Sequence, residues 1–296
     1  MADEPFIDTH VHHWDHSVDG LHWPWLEPGF SHRLLQGTDA LDAPRYTPPE
    51  FLVEAAGAEV AGVIHVQAVG DIADPALETA WLQRVADEHD LPTGIVGSCT
   101  VGEPGAVDLL RRHGEHQRFC GIRDIKSSKH LDPDEASDAL DVLAAMGLSI
   151  EARRHHAEFA VLDEIAARWP AVTVALSHAC LPLERTTEAL RDWSAAATQL
   201  ARRPNVVCKI SAVGGASDPN WTVDSIRPWV RACIETFGPQ RCMFGTNWPV
   251  DRLFGTYQQL VTAYREITAD LGANDRAALF HGTATRVYHL KPLDTL

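Results

Sequence analysis

The chain lacks several features that would have placed it in a class at once. None of its apolar runs approaches the about 20 residues needed to span a bilayer. Residues 1–6, Met-Ala-Asp-Glu-Pro-Phe, are acidic and carry no apolar signal core. Positive charge is scarce: Lys and Arg number 25 against 41 Asp and Glu, a formal net charge of -16. Nucleic acid, which is gripped through cation–phosphate contacts, is a poor partner for such a chain. The six cysteines (Cys99, Cys120, Cys180, Cys208, Cys233 and Cys242) form no C-x-x-C pair. Most lie in short apolar runs, which reads as buried thiols of a reduced protein. There is no low-complexity stretch and no sequence repeat. These absences leave a cytoplasmic globular protein with neither nucleic acid nor membrane as partner. A small-molecule ligand is the expectation, and a homo-oligomer is compatible with the composition.

What is present is a repeat of pattern. The 296 residues are 45% hydrophobic and 22% charged, enough for one large core. Short apolar runs alternate with longer amphipathic stretches, the signature of βα units around a parallel sheet. Strands are expected at 6–10, 62–67, 94–99, 120–125, 149–152, 172–177, 206–211 and 242–246. Start signals mark the helices between them. Thr47-Pro-Pro-Glu50 is a capping box with proline in the first turn, and Asp74-Pro75 and Asp132-Pro133 open two more. Residues 184–203, 227–237 and 257–271 read as helices. Eight strands and eight helices in alternation predict an α/β fold, a (β/α)8 TIM barrel, as a single domain over 1–296. Residues 275–296 are expected to form a helical tail packed on the outside. Residues 15–46 break the rhythm; they are rich in Trp, His, Pro and Gly. Following the first strand, they would form a long loop over the barrel mouth, as a lid, a substrate wall or an exterior flap.

Chemistry in a barrel sits where the strands end. The first strand runs Asp8-Thr-His10-Val-His12-His13-Trp14, and the i, i+2, i+4 spacing predicts Asp8, His10 and His12 on one face. Two imidazoles so placed suit a metal or a substrate oxyanion. His178 ends an otherwise apolar sixth strand. The eighth reads Cys242-Met-Phe-Gly-Thr-Asn247-Trp248-Pro249, where Gly245 allows close backbone approach and Asn247 hydrogen-bonds without titrating. Lys209 in the seventh strand needs a partner or solvent. Gln67, Arg123-Asp124 and Glu151 add polar groups to the second, fourth and fifth strands. Each could ring the mouth or form a structural ion pair.

Together these residues resemble a known family. Residues 7–15, I-D-T-H-V-H-H-W-D, resemble the D-x-H-x-H-x-W opening of the amidohydrolase-related group. That group includes L-fuconolactonase-like, L-rhamnonolactonase-like, 4-sulfomuconolactonase-like and 2-pyrone-4,6-dicarboxylate lactonase-like enzymes. Val66-Gln67, Gly121-Ile122-Arg123, Ser177-His178, Lys209-Ile210-Ser211, residues 244–249 and the tail at 280–288 resemble later family motifs in the expected order. The resemblance implies ring-opening hydrolysis of a lactone by an activated water. His10, His12, His178 and Asn247 would be catalytic. Arg123 and Lys209 would bind anionic groups, and Gln67, Ser211, Trp14 and Trp248 would shape the pocket around an anionic or sugar-like substrate. One divalent metal, zinc by ligand type, is a route the resemblance leaves open, held by His10, His12 and His178 with Glu151 as a further ligand. One departure stands out: the family commonly has aspartate, its expected water base, where this chain has Asn247. The histidines, alone or through a metal, are then expected to supply the proton transfer. A metal-dependent decarboxylase of a small acid and a non-catalytic binding barrel are the rival readings.

Overall fold

A computed structural model of the chain describes residues 4–30, 32, 35–70, 72–124 and 131–291. Eight parallel strands follow one another in sequence order around a single sheet. They are β1 (Phe6–Val11), β2 (Val60–Val66), β3 (Gly94–Ser98), β4 (Phe119–Arg123), β5 (Ser149–Ala152), β6 (Thr173–Leu176), β7 (Val206–Ile210) and β8 (Cys242–Phe244). Each is followed by a helix: α1 (Pro48–Glu54), α2 (Ala76–His89), α3 (Ala106–His113), α4 (Ser137–Met146), α5 (Phe159–Arg168), α6 (Thr187–Leu200), α7 (Val223–Phe237) and α8 (Tyr257–Ile267). This is the expected (β/α)8 barrel. The expected end of the fourth strand at Ile125 lies outside the described residues. Among the described residues no helix is long and apolar enough to cross a membrane.

Local chemistry accounts for the elements. The strands are buried except at a few half-buried ends, because helices cover one face and the barrel interior the other. At the start of α1 the Glu50 carboxylate accepts the Thr47 backbone N–H at 2.9 Å, closing the expected capping box. All six cysteines are buried free thiols.

Closure between β8 and β1 depends on Trp248. Its N–H donates to the His10 carbonyl at 3.2 Å, and the His12 N–H donates to the Trp248 carbonyl at 2.8 Å. Gly245 makes the seam possible: a Cβ there would sit 2.9 Å from Thr9 Oγ1 and 3.0 Å from the His10 nitrogen. Asp8 is the second fastening. Its carboxylate accepts from Thr246 N (2.9 Å), Thr246 Oγ1 (2.6 Å) and the Tyr257 hydroxyl of α8 (2.9 Å). That overturns the expected shared face of Asp8, His10 and His12. A register irregularity between Asp8 and Val11 breaks the strict alternation, so Asp8 turns to the seam and α8.

The tail also differs from expectation. It is α9 (Ala273–Ala277), a π-helical turn (Ala278–Gly282) and α10 (Thr283–Val287), and it is not merely laid on the outside. Ala284, Val287 and Tyr288 pack with Ile7, Ile64, Val96, Val207 and Met243 of the strands. The Tyr288 hydroxyl reaches the interior pair of Lys209 and Glu151, donating to Glu151 Oε1 at 2.7 Å. Residues 292–296 of the expected tail lie outside the described residues.

The long loop after β1 is anchored at both ends. Trp14–Asp15 pairs antiparallel with Arg45–Tyr46, and Trp14 stacks on Tyr46. Between them, Trp23 and Trp25 are buried, and the Trp25 indole donates to the Ala68 carbonyl at 2.7 Å. These indoles fasten the loop to the barrel.

Candidate active site

A cavity of roughly 400 Å³ opens at the C-terminal ends of the strands. Its wall includes His12 from just beyond β1, Gln67 after β2, Arg123 at the end of β4, His178 after β6 and Asn247 after β8. The loop after β1 adds Pro24, Trp25, Phe30, His32 and Leu35, so it forms one side of the cavity. Leu181, Leu183, Val250 and Phe254 extend the apolar surface.

The histidines stand together. The His10 ring lies 4.9 Å from that of His12 and 4.4 Å from that of His178, centroid to centroid. His10 itself is fully buried behind the wall, and both its nitrogens lack a hydrogen-bond partner. An unpaired buried imidazole is costly and calls for a functional reason. His12 Nδ1 lies 2.8 Å from the Val66 carbonyl. A carbonyl only accepts, so Nδ1 carries the proton and Nε2 keeps its lone pair. His178 Nδ1 meets the Ser211 hydroxyl at 2.8 Å. Burial holds all three rings well below the ordinary histidine pKa, helped by the positive charge of Arg123 and, for His10 and His178, of Lys209. They are neutral at pH 7.

The backbone around them is strained. His178, Ala179 and Cys180 occupy left-handed conformations in succession (φ 53°, 51° and 50°). Ala212 after β7 (φ 49°) and Asn247 after β8 (φ 62°) do the same. Such conformations disfavour most side chains, and asparagine is among those that tolerate them. Their clustering at the mouth is typical of functional sites.

Other expected site residues lie elsewhere. Lys209, expected against substrate, is fully buried and off the cavity wall. Its ammonium is 2.6 Å from Glu151 Oε1, also fully buried, and 3.3 Å from the Tyr288 hydroxyl. A cation inside a strand needs an anion, and Glu151 of β5, two strands away around the barrel, supplies it. Glu151, expected as a further metal ligand, is thus occupied by the ion pair. Trp14 and Trp248, expected to shape the pocket, pack behind it. The Trp14 indole donates to the Ala43 carbonyl and the Trp248 indole to Glu54. Ser211 is buried, is not on the cavity wall, and meets the site through His178.

Three wall residues carry no signal in the sequence. Arg153 follows β5, and Arg185 lies between β6 and α6. The Arg185 guanidinium sits over the Trp229 ring at 4.6 Å and donates through Nη2 to the Val213 carbonyl and Ser217 Oγ. Its Nε and Nη1 are buried without a partner. Burial lowers its pKa to about 10, so it remains a cation at neutral pH. The third is Asp251, whose Oδ1 accepts from Asn247 Nδ2 at 2.8 Å.

A barrel whose strand ends gather three histidines beside Asn247 can be compared with known proteins. The amidohydrolase family model matches residues 7–290. The chain belongs to the amidohydrolase family. An uncharacterised protein of Sinorhizobium fredii is 33% identical to this amidohydrolase, the match covering 98% of the chain and all of the relative. An L-fucono-1,5-lactonase of Burkholderia ambifaria is 28% identical, over 96% of this chain and 95% of that one. An amidohydrolase from Burkholderia multivorans, solved with bound zinc, superposes with a TM-score of 0.79 at 26% identity, over 97% of this chain and 100% of that one.

The zinc in that relative raises the question of whether this amidohydrolase is built for a metal. The donor chemistry is suitable: neutral imidazoles with free lone pairs are zinc ligands. The placement is not. Among the described residues no three His, Cys, Asp or Glu side chains gather in a metal-holding group. Asn247 offers a neutral amide at strand eight, and Glu151 is held by Lys209. As arranged, these residues do not fit a structural or catalytic zinc site.

Proposed function

We propose that this amidohydrolase opens a small lactone that carries a carboxylate. The observation that supports it best is the union, in one cavity of roughly 400 Å³, of neutral histidines with Arg123, Arg153 and Arg185 on the wall. The volume suits a single-ring compound. Guanidinium groups pair with carboxylates through parallel charge-assisted bonds, which gives orientation as well as affinity. Trp25, Phe30, Leu181 and Phe254 offer an apolar surface for the ring. The L-fucono-1,5-lactonase among the relatives supports an internal ester as the bond attacked. A neutral sugar lactone suits the wall less well, because its hydroxyls would face guanidiniums and apolar side chains.

In this reading the carboxylate is held by the arginines and the lactone carbonyl faces His12 and His178. With the Ser211 hydroxyl donating to Nδ1, His178 presents an Nε2–H to the carbonyl oxygen. A buried donor of this kind stabilises the oxyanion as water adds. Asn247 and Gln67 orient the water and the ring.

The test is a lactone panel assayed by proton release, with metal content measured on the same protein. Carboxylated lactones are expected to exceed neutral sugar lactones in kcat/KM by ~10–100-fold, the value of one or two charge-assisted bonds. Preference for a neutral sugar lactone would overturn the substrate class. Release of CO2 from an aromatic acid would replace hydrolysis by decarboxylation. Tight binding without turnover would leave a binding barrel. One zinc per chain would mean that the imidazoles close around an ion.

A further inference from the structure

Among the described residues that line the cavity, Asp251 is the one carboxylate. It stands on the short 3-10 turn Val250–Leu253, four residues beyond Asn247. Two contacts fix it. The Asn247 side-chain amide donates to Oδ1 at 2.8 Å, while the Asp251 backbone N–H donates to the Asn247 carbonyl at 3.2 Å. The same side chain acts on His12, working to raise its pKa against burial. Asn247 and Asp251 thus share the cavity wall with His12 and His178.

From the other side Gly215, in a left-handed conformation (φ 55°), brings bare backbone against the carboxylate. A Cβ there would lie 3.2 Å from Oδ1 and 3.6 Å from Oδ2. The residue is 6% exposed, and that exposure is to the cavity. An acid buried this deeply, held by an amide and aimed at the same space as His12 and His178, is more than is needed to end a turn.

We propose that Asp251 is the general base of this hydrolase, filling from four residues further on the role that the amide of Asn247 is unable to take. The bond it acts on rests on the lactone reading above; the identity of the base does not. Burial raises its pKa to about 7, against the opposing hydrogen bond from Asn247. A base poised near the working pH combines a large ionised fraction with useful basicity. The groups that act on it electrostatically are Asp8 at the β1–β8 seam and Tyr264 of α8, with His12 and His178 facing the same cavity. Arg252, on its own turn, is turned away to Glu54 at 2.7 Å.

The step balances without a further reactant. The Asp251 carboxylate takes one proton from water as the water oxygen bonds to the lactone carbonyl carbon. The carbonyl π electrons move onto its oxygen, which His178 stabilises. Collapse reforms the C=O and breaks the ring C–O bond. The ring oxygen leaves with the proton from Asp251, which returns to carboxylate. The product is the hydroxy acid, one water heavier than the lactone.

The experiment compares wild type, Asp251→Asn and the exchange Asn247→Asp/Asp251→Asn on the best lactone of the panel and on 4-nitrophenyl acetate. Asp251→Asn should lower kcat by at least ~100-fold, with KM nearly unchanged and the acidic limb of the kcat/KM profile lost. The exchange should recover at least ~10-fold of that loss, as an acid–base contribution restored at the neighbouring position. Wild-type kcat with an intact acidic limb in Asp251→Asn would overturn the assignment. If no lactone is turned over, the lactone reading fails by itself. The base is then read from the ester and from infrared difference spectra of wild type against Asp251→Asn. A carboxyl titrating near neutral pH supports it, and its absence sinks it. If Asp251→Asn does not fold, Asp251→Glu decides. A reduced kcat with a displaced acidic limb supports the proposal, and a wild-type profile refutes it.

Discussion

At the floor of the barrel, Ala284, Val287 and Tyr288 pack against Ile7, Val96 and Met243, and the interior charges, Lys209 and Glu151, are paired at 2.6 Å. At the mouth, His10 leaves both ring nitrogens unpaired, Arg185 leaves two guanidinium nitrogens unpaired, and five non-glycine residues between His178 and Asn247 take left-handed backbone. Both regions bury polar groups in the same apolar shell. Below, almost every group finds a partner in the chain; above, several wait for one. The difference teaches that burial of charge is not by itself a sign of function. The sign is burial left unsatisfied where a ligand can reach.

The sharpest way to break this contrast is Lys209→Met. It strands Glu151 in the barrel interior, and breaking a buried pair in this way costs about 3–5 kcal/mol. Urea unfolding should show that loss, and Lys209→Met/Glu151→Gln should regain much of it. A stable Lys209→Met protein with a raised KM would instead return Lys209 to the substrate.

Next in size is a stability change at the mouth. Asp251 has a folded pKa of about 7 against an ordinary 3.8, so the folded protein holds that proton more tightly than the unfolded chain. Its contribution to stability is therefore lost as pH rises from about 4 to about 7, up to about 4 kcal/mol at 1.36 kcal/mol per unit. Asp251→Asn should melt higher than wild type at pH 8 and no higher at pH 4. A gain at both pH values, or at neither, would place the carboxylate in a wetter setting. Smallest is Arg185→Met. It should raise KM for a carboxylated lactone by ~10–100-fold, the loss of one charge-assisted interaction. Thermal stability should be little changed, because among the described residues its given partners are a carbonyl, a hydroxyl and a ring, and no buried anion is left stranded.

The sequence carried the barrel well because its information was redundant. Each strand was an apolar run between start signals, and an error of a residue or two at an end left the count intact. His10, His12, His178, Gln67, Arg123 and Asn247 were legible because they follow those runs directly. Arg153, Arg185 and Asp251 were not. They sit in irregular segments after strands, where no period tells a wall residue from a solvated one. Lys209 misled for the opposite reason. Its place in an apolar strand signalled burial correctly, but a strand pattern does not say whether the partner will be a ligand or Glu151. Asp8 failed on register, because one irregularity in β1 undid the alternation.

The Tyr288 hydroxyl bonds to Glu151, 137 residues earlier, and to Lys209, 79 residues earlier. Asp8 waits still longer for its partners, Thr246 and Tyr257, 238 and 249 residues on. During vectorial synthesis the early strands must persist for much of the chain's emergence with their interior charges incompletely shielded and one edge open. Such long separations slow folding and expose sticky edges. The segment that plugs the floor emerges after all eight strands, so the interior pair gains its tyrosine partner only once the barrel wall has been made.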